Sequence, residues 1–422
     1  MSPESTSESP ETQDAYAVLR NRDFVRYVIG RLIAVLGQQM LTVAVGWELY
    51  ERTNSALALE LVGLTEMVAM VLCTLPAGHL ADNVNRKDII QTAMLVAVAS
   101  SVGLALISAM RGPVFGVYTC LFAASVARTF LWPASSAFLT SLVPRALFPR
   151  AVTWNSGAFQ LSSVAGPALS GGLIALLGRH LAHPAAAIYA LNALAGLICF
   201  VLVAFIRRPP AVANREKMTL ASLITGFQFV FAKPLILGMI TLDMFAVLLG
   251  GATALLPVYA KDILHAGPDG LGLLQAALPM GAVSCALFLA HRRPMRKAGR
   301  TLLWAVTVFG AATIVFGVSK QFWLSFAALL VCGMVDNVSV VVRHTSVQLL
   351  TPDDKRGRVS AVNSLFIGTS NELGGFESGF VAHWLGPVFS VVSGGVCTIL
   401  VVIAVALIWP ELRRYGRLEG SA

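Results

Sequence analysis

Long apolar stretches separated by short polar segments run along almost the whole chain. These stretches are apolar all round and rich in glycine and alanine, which predicts membrane-spanning helices rather than the alternating strands of a barrel. A spanning helix needs about 20 mostly apolar residues. Segments of that length lie near 24–50, 57–81, 88–109, 113–141, 152–178, 184–206, 236–260, 268–290, 300–319, 321–345, 357–383 and 386–410. The pattern predicts an all-α integral membrane protein with twelve transmembrane helices.

Composition supports this class. Hydrophobic residues make up 56% of the chain and charged residues only 13%, and the mean hydropathy is +0.74. Soluble domains carry about 25% charged residues, so a soluble protein is excluded. The six cysteines occur singly inside apolar segments without the spacing of a metal site, as small buried hydrophobic residues do. The sequence predicts no metal site and no cofactor.

The basic charge reflects membrane topology. The net charge is +9, and most lysines and arginines fall on one side of the membrane if the N-terminus is cytoplasmic. By the positive-inside rule this predicts both termini in the cytoplasm of a multi-pass membrane protein. A nucleic-acid partner is therefore not expected.

A basic, proline-containing segment divides the chain almost in half. It begins at Arg207 and continues through Pro209 and Pro210 to Lys217. Six helices before and after a linker are typical of two pseudo-symmetric halves with a site between them near the membrane midplane. The predicted segments are a disordered cytoplasmic tail (1–20), an N-terminal six-helix half (21–206), a linker with an interfacial stretch (207–235), a C-terminal six-helix half (236–410) and a cytoplasmic tail (411–422).

A charged hairpin joins the second and third apolar segments. Its pattern, Gly-x-Leu-Ala-Asp-x-x-x-Arg-Lys at residues 78–87, resembles the loop between helices 2 and 3 of the major facilitator superfamily of transporters. The glycine permits close helix packing. The aspartate is expected near the start of the next helix, where it can accept hydrogen bonds from a helix N-terminus, and the cations suit a cytoplasmic loop. Residues expected to act in gating here and at the start of the eleventh helix are Gly78, Asp82, Arg86, Lys87, Arg356 and Arg358.

The fifth apolar segment contains the run Gly166-Pro167-Ala-Leu-Ser-Gly171-Gly172. It resembles the Gly-Pro-x-x-Gly-Gly element of the superfamily's antiporters, except that Ser170 replaces one glycine. Proline removes a backbone hydrogen bond, while glycine lets another helix approach. The resemblance implies a bendable seam that resists leakage during exchange. The alternative is a kinked helix that only packs well.

Motifs in the second half make the resemblance more specific, to one branch of the superfamily. They are Leu-Leu-Pro-Val-Tyr-Ala at 255–260, Gly-Met-Val-Asp-Asn at 333–337, and the run from 351 to 363. Together they look like the bacterial exporter branch that includes the enterobactin exporter and related transmembrane secretion effectors. The resemblance covers about residues 20–415 and implies export from the cytoplasm, usually driven by the proton gradient. One departure concerns coupling: Gln38 and Gln39 stand where this branch often has an acid.

Three charged residues at membrane depth are candidates for coupling or substrate binding: Glu66, Arg128 and Asp243. A charge at the bilayer centre costs about 2.5–3.5 kcal/mol, so these side chains should avoid lipid. Burial favours the neutral form of a carboxyl group, so either acid could carry a proton. The alternative for each acid is a permanent salt bridge or a latch. Arg128 would pair with Glu66 or bind an anionic substrate. Asp243 is favoured as the proton carrier because few cations on its own helix could pair with it.

The tenth and eleventh helices carry further polar candidates. Asp336 and Arg343 lie seven residues apart on one face, a rise of about 10.5 Å, so each needs its own partner or a bridging group. Glu372 and Glu377 point about 140° apart and cannot both face one cavity. The remaining candidates on the eleventh helix are Asn363 and Asn371.

Three functions remain open. The first is a proton-coupled exporter of a siderophore-like or amphipathic small molecule. The second is a proton-coupled metabolite importer, which the antiporter-type element argues against, and the third is a non-transporting lipid scramblase or assembly partner. No Ser-His-acid group, metal motif or phosphate loop points to an enzyme, and no catalytic residue is assigned. The expected partners are a small molecule, protons and membrane lipids, and a monomer is predicted.

Overall fold

A computed structural model describes residues 16–207, 227–250, 252–291, 297–352 and 355–416, which form helices and no strand. The long helices are α1 (Arg22–Thr53), α2 (Ala56–Asn83), α3 (Arg86–Ala109), α4 (Val114–Leu142), α5 (Phe148–Leu177), α6 (Pro184–Ala204), α7 (Pro234–Leu249), α8 (Gly267–Ala290), α9 (Ala298–Val318), α10 (Phe322–Leu350), α11 (Arg356–Leu385) and α12 (Pro387–Ile408). A short helix, α13 (Pro410–Arg414), follows. The prediction of a twelve-helix all-α membrane protein is confirmed. The first 15 residues of the predicted tail and most of the predicted linker lie outside the described residues.

Eleven of the helices in the described ranges are long and apolar enough to cross a membrane, counting α7 with its continuation to Ile263. The remaining long helix is α11, which carries a mixture of polar residues, glycines and apolar residues. Proline occupies the first turn of α6, α7 and α12, where its missing N–H costs no helical hydrogen bond. A single residue, Gly386, joins α11 to α12 with a φ of 89°, which glycine adopts without strain.

The seventh helix differs from the continuous span predicted at 236–260. Its α-helical part ends at Leu249. A 3₁₀ turn (Ala252–Leu255), a short α turn (Leu256–Val258) and a π turn (Tyr259–Ile263) follow. Gly250 at the helix end favours non-helical backbone, and Pro257 cannot donate a backbone hydrogen bond. The apolar pattern predicted the membrane crossing but not its interruption.

The charged hairpin is mostly helical. Because α2 continues to Asn83, Asp82 lies in the last turn of α2, and the prediction that it lies near the start of the next helix is wrong. Asn85 caps α3 instead, since its side chain accepts a hydrogen bond from the backbone N–H of Lys87 at 3.0 Å. Asparagine is among the strongest N-cap residues, and it stands directly before the first residue of α3.

The described residues divide into two compact units. The first holds the described residues of Met1–Leu41, Ala69–Gly166 and Ala186–Lys217. Its apolar core combines buried side chains of α1, α3, α4, α5 and α6. Tyr27 is buried in that core, with its ring 5.5 Å from that of Phe138 and its hydroxyl donating to the Ser135 carbonyl at 3.1 Å. The core therefore satisfies the one polar atom that this tyrosine brings into it.

The second unit holds Thr42–Val68, Pro167–Ala185 and the described residues of Met218–Ala422. One of its apolar clusters joins α7, α9, α10, α12 and α13. Small residues let the helices approach closely: a Cβ on Gly281 of α8 would overlap the Leu330 carbonyl of α10, and a Cβ on Gly333 of α10 would overlap the Leu278 carbonyl of α8. Such contacts are typical of membrane helices, which gain stability from close packing because lipid supplies no hydrophobic driving force.

Candidate functional site

A buried ion pair lies in the second unit. Arg343 of α10 pairs with Asp243 of α7, and their side chains are only 3% and 9% exposed. Asp243 and Asp336 both line a cavity of about 20 Å³ between α7, α9 and α10, which has room for about one water molecule. Three charged side chains are thus gathered among apolar helices, where an unpaired charge would cost several kcal/mol.

The ion pair decides two points that the sequence raised. Asp336 and Arg343 do not need to bridge the gap along α10, because Arg343 has its own partner on α7. The scarcity of cations on α7 is no reason to favour Asp243 as a proton carrier, since a cation from outside α7 pairs with it. That cation belongs to another helix, and a search along one helix for neighbours could not reveal it.

The polar candidates on α11 occupy different environments. Asn363 is 5% exposed, and its Oδ1 has no hydrogen-bond partner among the described residues. Asn371 is exposed and its Nδ2 donates to the Ile367 carbonyl one turn earlier at 2.8 Å. Glu377 is half-buried, and the side chain of Glu372 lies outside the described residues. Among the described side chains of α11, Asn363 therefore has a buried acceptor that no hydrogen bond uses.

Glu60, near the start of α2, is a buried carboxyl that the sequence analysis missed. It is 1% exposed and lies against Gly375 and Gly379 of α11. The signal that could have pointed to it was the glycine spacing on α11, because Gly375 and Gly379 share one helix face and leave space for a partner's side chain.

The glycines of the antiporter-type element on α5 have different contacts. A Cβ on Gly166 would lie 2.5 Å from the Cβ of Gln39 on α1 and 3.1 Å from the Leu36 carbonyl. A Cβ on Gly171 would overlap the Pro268 carbonyl of α8 and lie 2.9 Å from the Cα of Gly272. In contrast, a Cβ on Gly172 would meet no described atom within 4 Å. The expectation of close helix packing therefore applies to Gly166 and Gly171 and not to Gly172. Pro167 lies within α5, between these contacts, without ending the helix.

A polar contact joins the C-terminal end of α1 to the π turn after α7. The Tyr50 hydroxyl donates to the Asp262 carboxylate, and the Lys261 ammonium donates to Asn54 Oδ1 at 2.6 Å. The same ammonium lies 5.1 Å from the centroid of the Tyr50 ring, a distance at which a cation is attracted to an aromatic face. This α1–π-turn contact therefore joins Tyr50 and Asn54, at the end of α1, to Lys261 and Asp262 of the π turn.

The cations of the charged hairpin are bound within the first unit. The Lys87 ammonium donates to the carbonyls of Ala204 and Ile206, at the C-terminal end of α6, at 2.7 and 2.6 Å. Arg86 Nη1 donates to the Ala137 carbonyl of α4 at 3.1 Å. Cations are stabilised at helix C-termini, where carbonyl groups lack helical partners. The side chains of Asp82 and Arg356 lie outside the described residues, so the gating contact predicted between the hairpin and α11 stays a prediction.

We expect Lys87→Met to destabilise the protein by about 1–3 kcal/mol, because two carbonyls at the end of α6 lose their buried donor. The melting temperature of the purified protein in detergent should fall by several degrees. Arg207→Met is the matched control, since it removes an exposed cation near the same helix end and should stay within about 0.5 kcal/mol of the parent. Equal melting temperatures for the two variants would contradict this role of Lys87.

The positions of Glu66 and Arg128 do not decide what these two candidates do. Glu66 is half-buried on α2, and Arg128 is exposed on α4. Their pairing, or the binding of a substrate by Arg128, stays a prediction.

The residues that stand in place of the helix 1 acid include Gln39, whose amide Nε2 donates to Ser163 Oγ on α5 at 3.2 Å. Gln39 therefore links α1 to α5, next to the close contact at Gly166.

A comparison with protein families identifies the chain. The model for the family described as transmembrane secretion effector matches residues 13–417. The chain belongs to this family. Among similar proteins, the enterobactin exporter of Shigella boydii serotype 4 (strain Sb227) is 27% identical over 397 residues, covering 92% of each chain. The enterobactin exporter of Escherichia coli O1:K1 / APEC is also 27% identical, over 396 residues and 92% of each chain.

Solved structures agree on the fold of this transmembrane secretion effector. A bacterial homologue of the iron transporter ferroportin, in an inward-facing state, has a TM-score of 0.71 and 14% identity and covers 93% of this chain and 99% of its own. A bacterial homologue of the human lysosomal transporter Spinster has a TM-score of 0.68 and 14% identity, with coverages of 97% and 98%. The fold is that of the major facilitator superfamily, as the sequence motifs predicted.

The family and fold determine what kind of protein this transmembrane secretion effector is. It is a multi-pass membrane transporter of a bacterial exporter family. The polar groups buried in the second unit are then candidates for binding and coupling rather than for catalysis.

Proposed function

We propose that this transporter exports a siderophore-like or amphipathic small molecule from the bacterial cytoplasm, in exchange for protons and by alternating access between two six-helix halves. Both termini are cytoplasmic in this proposal, and the protein works as a monomer among membrane lipids of the inner membrane. The proposed substrate class follows from the enterobactin exporters that match the chain over 92% of its length.

The observation that carries the proposal is the buried Asp243–Arg343 pair, with Asp243 and the half-buried Asp336 lining a water-sized cavity. Charged residues inside membrane helices are costly and mark substrate or ion pathways. A scramblase or an assembly partner has no need of such a group. Asp243 and Asp336 can bind protons, and protonation of Asp243 would weaken its pairing with Arg343, so the group can couple proton movement to a rearrangement of α7 and α10.

The close contact of Gly171 with Gly272 supports exchange rather than import. It holds α5 against α8 without a side chain between them, as a seam that must not leak would require. The cations of the hairpin, with Asp82, Arg356 and Arg358, are the proposed gate at the cytoplasmic ends of the halves. Proton coupling cannot use Gln38 or Gln39, since amides do not titrate, so the carrier must be an acid elsewhere.

The test is transport by the full-length protein in liposomes under an imposed pH gradient. Enterobactin, ethidium and Hoechst 33342 are the probes. Efflux against the probe gradient should require the pH gradient and stop when nigericin collapses it, with protein-free liposomes as the control. Probe movement in the same direction as the protons would support the importer instead. Rapid lipid exchange between leaflets without probe movement would support the scramblase.

A further inference from the structure

Glu60 occupies a space shaped to hold it. A Cβ on Gly379 would overlap Cγ of Glu60, and a Cβ on Gly375 would lie 3.3 Å from its Oε2. Glycine at both positions therefore leaves a slot on α11, the glycine slot, into which the glutamate side chain fits. At 1% exposure the side chain is removed from solvent along its whole length.

The glycine slot offers this carboxyl group little polar compensation. Oε1 of Glu60 has no hydrogen-bond partner among the described residues. Glu377 of α11 is near enough to act on a charge at Glu60 and has the same sign of charge. Among the described residues an ionised Glu60 carboxylate would lack both solvent and a paired cation, at a cost of several kcal/mol.

A bound proton removes this conflict, because the neutral acid has no charge to solvate and does not repel Glu377. We infer that Glu60, held in the glycine slot of α11 and lacking a hydrogen-bond partner for Oε1 among the described residues, is a proton-binding site of this transporter. The bond that forms is an O–H on the Glu60 carboxylate, and the proton comes from water. No other reactant is needed.

Proton binding at Glu60 is linked to the contact between α2 and α11. The neutral side chain fits the slot, whereas the ionised side chain is stable only where water reaches it. Release of the proton therefore favours separation of α2 from α11, and separation favours release, since linkage is reciprocal. This part of the inference rests on the proposed function, in which α2 and α11 belong to different halves that move apart during transport.

Infrared difference spectroscopy of the full-length protein in lipid nanodiscs tests the site directly. Between acidic and alkaline pH, a protonated carboxyl group in an apolar site gives a carbonyl stretching band that disappears on ionisation. We expect such a band in the parent protein, a clear loss of its intensity in Glu60→Gln, and its full retention in Glu51→Gln, which removes an exposed carboxyl near the end of α1. Intensity that remains in Glu60→Gln belongs to other carboxyl groups such as Asp243 and Asp336. An unchanged band in Glu60→Gln, or the same loss in Glu66→Gln instead, would overturn the inference.

A second variant keeps the carboxyl group and removes its slot. Gly379→Ala places a methyl group where Cγ of Glu60 lies, so the side chain can no longer be buried there. The band should lose the intensity due to Glu60 at neutral pH, and an unchanged band would also overturn the inference. Gly172→Ala, which fills open space, is the matched control. This variant decides the question even if Glu60→Gln fails to fold.

The infrared measurement needs no substrate, so it is independent of the proposed function. The liposome assay separates the two ideas further. If efflux by the parent protein does not depend on the pH gradient, the proposed coupling fails while the infrared result stands. If the parent is gradient-dependent and Glu60→Gln keeps the full dependence, the role of Glu60 in coupling is overturned. Loss of gradient-driven efflux with retained downhill efflux supports that role.

Discussion

Replacing Arg343 with Met should leave little folded protein in the membrane. The change leaves the Asp243 carboxylate buried without its cation, and breaking a buried pair costs about 3–5 kcal/mol. That is a large part of the about 5–15 kcal/mol that stabilises a typical protein. Asp243→Leu should be similarly harmful because it leaves the Arg343 guanidinium unpaired. Yield and melting temperature after purification in detergent measure the effect.

The double variant separates folding from transport. Asp243→Leu with Arg343→Met removes both charges, and apolar replacements of a whole buried pair are often neutral or stabilising. We therefore expect the yield to recover while gradient-driven efflux does not, because the proposed polar group is gone. Single variants with the parent's yield and melting temperature would contradict the structural importance of the pair. Recovered efflux in the double variant would contradict its role in transport.

Gly171→Val should slow transport strongly. Its side chain would overlap the Pro268 carbonyl and approach Gly272, so α5 and α8 must move apart to make room. Overpacking of a tight contact costs about 1–3 kcal/mol, which shifts an equilibrium between two conformations about 5–150-fold. We expect a comparable fall in the efflux rate per folded molecule, measured in liposomes with the same probes.

Gly172→Val is the matched control for that experiment. It is adjacent in sequence and carries the same cost in helix propensity, but its Cβ would meet no described atom within 4 Å. Its efflux rate should stay within about twofold of the parent, since a surface substitution is worth about 0.5 kcal/mol or less. Equal losses in both variants would mean that valine acts through the helix itself and not through the α5–α8 contact.

Much of the fold could be predicted from the sequence because a membrane imposes simple rules. An apolar run of about 20 residues has few alternatives to a spanning helix, so each membrane crossing can be predicted from its own residues alone. The interruption after Leu249 was missed because the apolar composition of the segment suggested a continuous helix, although Gly250 and Pro257 are residues that can end or bend one. The extension of α2 to Asn83 was missed for the opposite reason, since charged residues suggested a loop although they fit a final helical turn.

The candidate site was harder to predict, because its partners come from different helices. Asp243 and Arg343 were both recognised as unusual, yet their pairing depends on how α7 and α10 cross. Glu60 escaped notice because burial at a span end depends on the neighbour, in this case two glycines about 315 residues further along the chain. Sequence periodicity reports which residues share a helix face. It does not report which faces meet.

The short connection between α11 and α12 has a consequence for how the protein is made. α11 is the long helix that falls outside the eleven apolar enough to span a membrane by themselves in the described ranges, whereas α12 is strongly apolar and follows after the single residue Gly386. Helices enter the bilayer from the translocon according to their free energy of insertion, and polar residues raise it. We expect α11 and α12 to be inserted together as a helical hairpin, so that insertion of the strongly apolar α12 also places the more polar α11 in the lipid.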